Sequence, residues 1–218
     1  MSVSHHLDDA TLLSHAAGTL PRTLALVVDA HLEMCPHCRA ALKAANAIGG
    51  ALLSDLSPAP VSSSLKDAVM GRIGSATIHR LPRAQAARQG GVPLALQRVL
   101  RLDSLDDIPW RKSAPGVHIH KLPKEAGEAG FFGLLKIAPG AAMPEHGHGG
   151  SELTLILQGA YHDELGHFGE GDIADHDESV DHTPVAEGEQ PCICLVATQA
   201  PTRFRSWPAR VMQKFIGI

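Results

Sequence analysis

Apolar residues in the first third of the chain recur at helical spacing, whereas in the second half they come in short runs split by glycine-bearing turns. Leu24, Val27, Val28 and Leu32 fall on one helical face, which predicts a helix with Pro21 in its first turn. Ahead of it, Asp8 or Asp9 can cap a first helix that runs through Ala17 and ends at Gly18. Pro36 breaks the second helix and opens a third, which reaches about Leu56 with Leu42, Ala45, Ile48 and Leu52 on its apolar face. The segment SPAPVSSS reads as a loop, and Ser64 with Asp67 resembles a capping box for a short fourth helix from Leu65 to Ile73.

Residues 82–93, PRAQAARQGGVP, have the composition of a linker, and a short amphipathic stretch, LALQRVLRL, follows. From about Trp110 the runs GVHIHKL, FFGLLKI, ELTLIL, CICLVAT, FRSW and RVMQKFIGI predict short strands of an all-β sandwich or barrel. The expected architecture is α+β in two domains: a helical domain over 1–81, a linker over 82–105 and a β domain over 106–218.

Composition narrows the class. The chain has 218 residues, 44% of them hydrophobic, which is enough for packed cores. It has no apolar run of about 18 residues and no basic N-terminal stretch leading into an apolar one, so neither a membrane span nor a secretory signal is predicted. Four cysteines without such a signal point to a reducing compartment and to metal or redox use; the expected location is cytoplasmic. A net charge of −4, with no helix carrying a basic face, argues against direct nucleic-acid binding. Between Asp163 and Glu189 there are ten acidic residues and no lysine or arginine, a run that reads as a solvated surface. Fourteen histidines fit metal binding, with His15, His37, His79, His162 and His167 read as ordinary surface residues.

Two groups carry the chemistry. His31 and Cys35 share a helical face, and Cys38 returns one turn later past Pro36. Together with His5 or His6 upstream, two thiolates and two imidazoles make a filled tetrahedral set, the composition of a structural zinc site. Downstream, His146 and His148 point the same way from an extended segment, and Glu152 opens the strand ELTLIL with Thr154 and Ile156 on its side. His182 is the natural fourth ligand and His176 the weaker candidate; three histidines and a glutamate suit zinc, iron, manganese or nickel. Cys192 and Cys194 lie two apart on one strand face, either as small buried hydrophobes or as an oxidisable dithiol.

The string around Gly140, His146, His148, Glu152 and Gly159 resembles the first motif of the cupin family. GEGD followed by His182 resembles its second motif, with a longer loop and without the P-x-G before the histidine. The upstream His6 with H-x3-C-x2-C resembles the zinc-binding anti-sigma factors, and the combination resembles the ChrR-type anti-sigma family over nearly the whole chain. That resemblance implies a jelly-roll cupin behind a helical zinc domain. It implies His6, His31, Cys35 and Cys38 on zinc, and His146, His148, Glu152 and His182 on a sensory metal. It further implies one-to-one binding of a group IV (ECF) sigma factor, kept from core RNA polymerase until singlet oxygen or an organic hydroperoxide is sensed, and no enzymatic activity. The competing expectation is a cupin dioxygenase or isomerase with an accessory zinc domain, using Tyr161, Glu164 or His176 as acid or base.

Overall fold

Alternate side chains on the longest strands, which are buried on both faces, enter two separate cores. The computed structural model describes residues 3–75 and 91–206. His79, residues 82–90 of the expected linker and the expected strand RVMQKFIGI therefore lie outside the described residues.

Five helices come first: α1 (Asp9–Ala16), α2 (Arg22–Met34), α3 (Pro36–Ser54), α4 (Leu65–Ser75) and α5 (Leu94–Leu100). A single 3-10 turn, Leu105–Asp107, leads into the strands. These are β1 (Arg111–Ala114), β2 (Val117–Lys121), β3 (Phe132–Ile137), β4 (His146–Gly147), β5 (Glu152–Gln158), β6 (Ala160–Asp163), β7 (Gly166–Phe168), β8 (Ile173–His176), β9 (Asp181–His182), β10 (Val185–Glu187), β11 (Cys192–Thr198) and β12 (Arg203–Phe204). A six-stranded sheet, ordered β1-β2-β3-β11-β5-β8, is joined by two three-stranded sheets, β10-β6-β7 and β12-β4-β9. Every pairing is antiparallel, and the result is the expected α+β architecture.

On β5 and β11 both faces are buried, so the strands read as continuous apolar runs. Ile156, Cys192, Cys194 and Val196 face the inner core with Leu135 and Tyr161. Leu153, Leu155, Leu157, Ile193 and Leu195 face the other core, which they share with Leu24, Val27 and Val28 of α2 and Leu96 of α5. Helix α2, with α5 against it, is thus seated on the outer face of the main sheet. Glu33 of α2 fastens α5 by accepting the Leu94 and Ala95 amides at 2.7 and 2.8 Å.

Local differences from the sequence reading have physical causes. Pro21 is the residue before α2 rather than inside its first turn. Asp8 precedes α1, but its side chain makes no capping bond. On the apolar face of α3, Leu42 and Ala45 are half-buried, but Ile48 and Leu52 are bare: every residue from Asn46 to Ile73 is exposed.

Candidate metal centres

The first cluster is built at the α2–α3 junction. Pro36 occupies the first turn of α3, and Cys35 is left in an extended conformation as both the last cap of α2 and the first cap of α3. Its sulfur accepts the Cys38 amide at 3.4 Å, which aims both thiols the same way. His31 Nε2 lies 3.3 Å from Cys38 Sγ, and His6 Nδ1 lies 3.3 Å from Cys35 Sγ. One donor atom from each of the four lies within 4.8 Å of all the others. His5 turns away instead, its ring 4.1 Å from that of Phe168 and Nδ1 3.4 Å from Asp172 Oδ2, so of the two upstream histidines His6 joins the cluster. His37 stacks on His6 at 4.2 Å.

The tautomer of His31 follows from its partner. A carbonyl only accepts, so His31 Nδ1–H donates to the Gly171 carbonyl at 3.1 Å, and the Nε2 lone pair faces the thiols. Burial holds His31 down to about 4 and pushes the Cys38 thiol up to about 11. A neutral imidazole and a buried thiol are what a soft divalent cation deprotonates and binds, so this S2N2 set fits zinc.

The second cluster lies inside the barrel. His146 on β4 and His182 on β9 are paired residues, and Glu152 opens β5. His146 Nδ1 donates to the Pro144 carbonyl at 2.9 Å, and His182 Nδ1 donates to Asp163 Oδ2 at 2.8 Å. The two Nε2 atoms, left as lone pairs, face each other at 3.1 Å. His148 Nδ1 lies 3.1 Å from Glu152 Oε2 without hydrogen-bond alignment, and neither of its ring nitrogens has a partner. Four buried donors converging on one point within 4.8 Å, two of them opposed lone pairs, fit a shared cation. Burial alone would raise the Glu152 carboxyl, but the surrounding imidazoles of His148, His146 and His182 outweigh it and hold it at about 2.

His176 stands beside this set. Its Cα is in register with Glu152 across β5 and β8, its ring lies 5.0 Å from His182 and 5.9 Å from His148, and its Nε2 is buried without a partner. A cavity next to the cluster is lined by Leu135, Met143, Tyr161, Cys194 and Phe204. The Tyr161 hydroxyl is buried there without a partner, and burial keeps it protonated. Glu164 lies outside, accepting the Thr183 amide at 2.9 Å, so it does not reach the barrel interior. Cys192 and Cys194 are buried free thiols in the inner core. The neighbouring Cys192 thiol and burial hold Cys194 well above the usual thiol range.

Two residues escaped the sequence reading. Asp163, its carboxylate fully buried against His182, and Asp172, 5% exposed, both belong to the acidic run taken for solvated surface. Asp172 carried one signal, as the last residue of GEGD.

A barrel with a three-histidine, one-glutamate cluster, joined to a helical two-histidine, two-cysteine module, has the make-up of a cupin with a second, helical metal-ligand set. The ChrR cupin-like domain family matches residues 101–202, and a zinc-finger family matches residues 12–39. Over 218 residues, all of both chains, the sequence is 42% identical to the anti-sigma-E factor ChrR of Cereibacter sphaeroides. The crystal structure of Rhodobacter sphaeroides SigE in complex with the anti-sigma ChrR aligns with a TM-score of 0.74 at 42% identity, covering 90% of this chain and 100% of that one. An RmlC-like cupin from Ralstonia eutropha aligns at 22% identity with a TM-score of 0.42, over 48% of this chain and 71% of that one. This chain belongs to the ChrR family.

Proposed function

We propose that this chain is an anti-sigma factor: its helical module sequesters an ECF sigma factor, one to one, from core RNA polymerase in the cytoplasm. The observation that carries the reading is the 42% identity to an anti-sigma factor over the full length of both chains. A physical feature supports it. From Asn46 to Ile73 every residue is exposed, and this stretch holds Ile48, Leu52, Leu53, Leu56, Val61, Leu65, Val69, Met70 and Ile73. Nine large apolar side chains in one exposed segment mark a protein interface, of the kind in which an amphipathic helix meets an apolar groove.

His6, His31, Cys35 and Cys38 would hold zinc, which there ties the N-terminal segment, α2 and α3 into one unit; structural zinc contributes apparent binding energies of about 10–16 kcal/mol to folding. His146, His148, Glu152 and His182 would hold zinc, iron, manganese or nickel as the sensing centre for singlet oxygen or an organic hydroperoxide. A cavity lined by Leu135, Met143 and Phe204 lies beside that centre. Cys192 and Cys194 are the redox pair of this reading. Because Cys194 stays protonated, their oxidation follows opening of the barrel rather than starting it. Release demands energy: moving the sigma factor from 99:1 bound to 1:99 takes about 5.5 kcal/mol of differential interaction.

The test is affinity purification of the tagged chain from its host with mass spectrometry. A stoichiometric ECF sigma factor, lost when residues 1–85 are removed, is the expected result. Recovery of the chain alone, with turnover of a small substrate and oxygen, would replace the reading with a cupin enzyme.

A further inference from the structure

We propose that the barrel turn Gly169–Asp172 is the outer shell of the helical metal centre, and that β8 couples this centre to the cluster inside the barrel. The proposal rests on zinc at His6, His31, Cys35 and Cys38, and does not require the sigma factor.

The backbone on both sides of His6 is tied to β8 and the turn before it. Ser4 N and His5 N donate to Asp172 Oδ1 at 2.6 and 3.0 Å, and Asp8 N donates to Asp175 Oδ2 at 3.1 Å. Asp172 is itself fixed by the Gly169 amide, which donates to Oδ2 at 2.9 Å. His31 is oriented by the same turn through the Gly171 carbonyl. Gly171 sits at φ +90°, where an L side chain is strained, and a Cβ there would come 2.9 Å from Val3. The barrel thus orients the ring of His31, which α2 carries, and holds the backbone on both sides of His6. Hydrogen-bonded partners of metal-bound histidines fix tautomer and ring orientation, and their loss weakens binding roughly 10–100-fold.

The same segment ends at the other cluster. From Asp172, β8 runs to His176, which is in register with Glu152 and next to His182. At about 3.3 Å per residue this span is only about 13 Å of paired strand. A shift of Glu152 on β5 moves its partner His176, and with it the end of β8 that carries Asp172. Such coupling is reciprocal: occupancy of one centre tightens the other by the same factor.

The experiment uses the full chain loaded with cobalt in place of zinc. Thiolate-to-cobalt charge transfer reports only the helical centre, because the barrel set has no thiolate. Chelator competition on Asp172→Ala and on Ser4→Pro, which removes the amide donor from the opposite side, is expected to show cobalt lost roughly tenfold or more easily, with altered d–d bands and barrel metal retained. Glu152→Gln, with an emptied barrel centre verified by metal analysis, is expected to weaken cobalt retention at the helical centre about fivefold or more. Wild-type retention and spectra in Asp172→Ala and Ser4→Pro would overturn the outer-shell assignment, and wild-type retention in Glu152→Gln would overturn the coupling. A Cys35→Ser, Cys38→Ser chain that keeps the charge-transfer band would instead overturn the zinc assignment itself.

Discussion

Cys38 and His31 set the terms on which the helical centre binds metal. The thiol, pushed up to about 11, holds its proton at neutral pH, while His31, held down to about 4, has none to lose. Zinc must displace the Cys38 proton, so zinc affinity is expected to rise with pH between about 6 and 8; chelator titrations across that window check it, and a flat profile would contradict it. In the barrel, the fully buried Asp163 fixes the His182 tautomer, so Asp163→Asn is expected to weaken barrel metal binding about 10–100-fold while leaving the helical centre loaded; metal analysis after dialysis reads both. At this scale the sequence was informative where spacing fixes geometry. His31 to Cys35 is one helical turn, and His146 to His148 is one strand repeat, so these donors could be read from spacing, whereas the choice between His5 and His6 was settled only by the fold. Asp163 and Asp172 could not be read that way. An acidic run looks the same whether its carboxylates meet water or a buried imidazole and a distant backbone.

Among the elements, α2 and the α3–α4 stretch illustrate opposite uses of the same apolar periodicity. Leu24 is 1% exposed against the sheet, so Leu24→Ala is expected to destabilise the fold by about 2–5 kcal/mol in denaturant unfolding. Leu52 is 65% exposed, so Leu52→Glu is expected to leave stability within about 0.5 kcal/mol and to weaken sigma-factor binding by about 2 kcal/mol or more. Periodicity predicted both helices but not which face would stay bare, because an interface face and a core face share one pattern. The N-terminal segment makes a pH-dependent element. Burial alone would raise the Asp172 carboxyl, but the His5, Gly169 and Ser4 amides outweigh it and hold it below the ordinary 3.8. Its stabilisation is therefore complete above that ordinary value and lost as pH falls through the lower folded one. Hydrogen exchange at the Ser4 and His5 amides is expected to stay slow down to about pH 4 and to speed up only below it.

On the coupling proposed above, the whole molecule would act as a relay between two centres, because helices and barrel share one core. The division into helices followed by strands was legible because the hydrophobic period changes along the chain. The seating of α2 on β5 and β11 was not, because runs buried on both faces look alike whether sheet or helix covers them. That seating places the bare α3–α4 surface on the module whose candidate metal cluster touches the barrel turn, so a change at the barrel cluster would have a physical route to a partner held there. On this account, His146→Ala with Glu152→Ala is expected to abolish the response to singlet oxygen in a reporter strain, with sigma inhibition loosened rather than lost; a normal response in that variant would contradict it.

The central claim is that the exposed face of α3 and α4 holds a sigma factor. Its most direct test is the mass in solution of the purified chain mixed with the ECF sigma factor of its host, measured by light scattering for the wild type and for Leu52→Glu with Ile73→Glu. The account predicts a one-to-one complex for the wild type that excludes core RNA polymerase, and free components for the variant. Absence of a wild-type complex, or an undiminished complex in a folded variant, would contradict it.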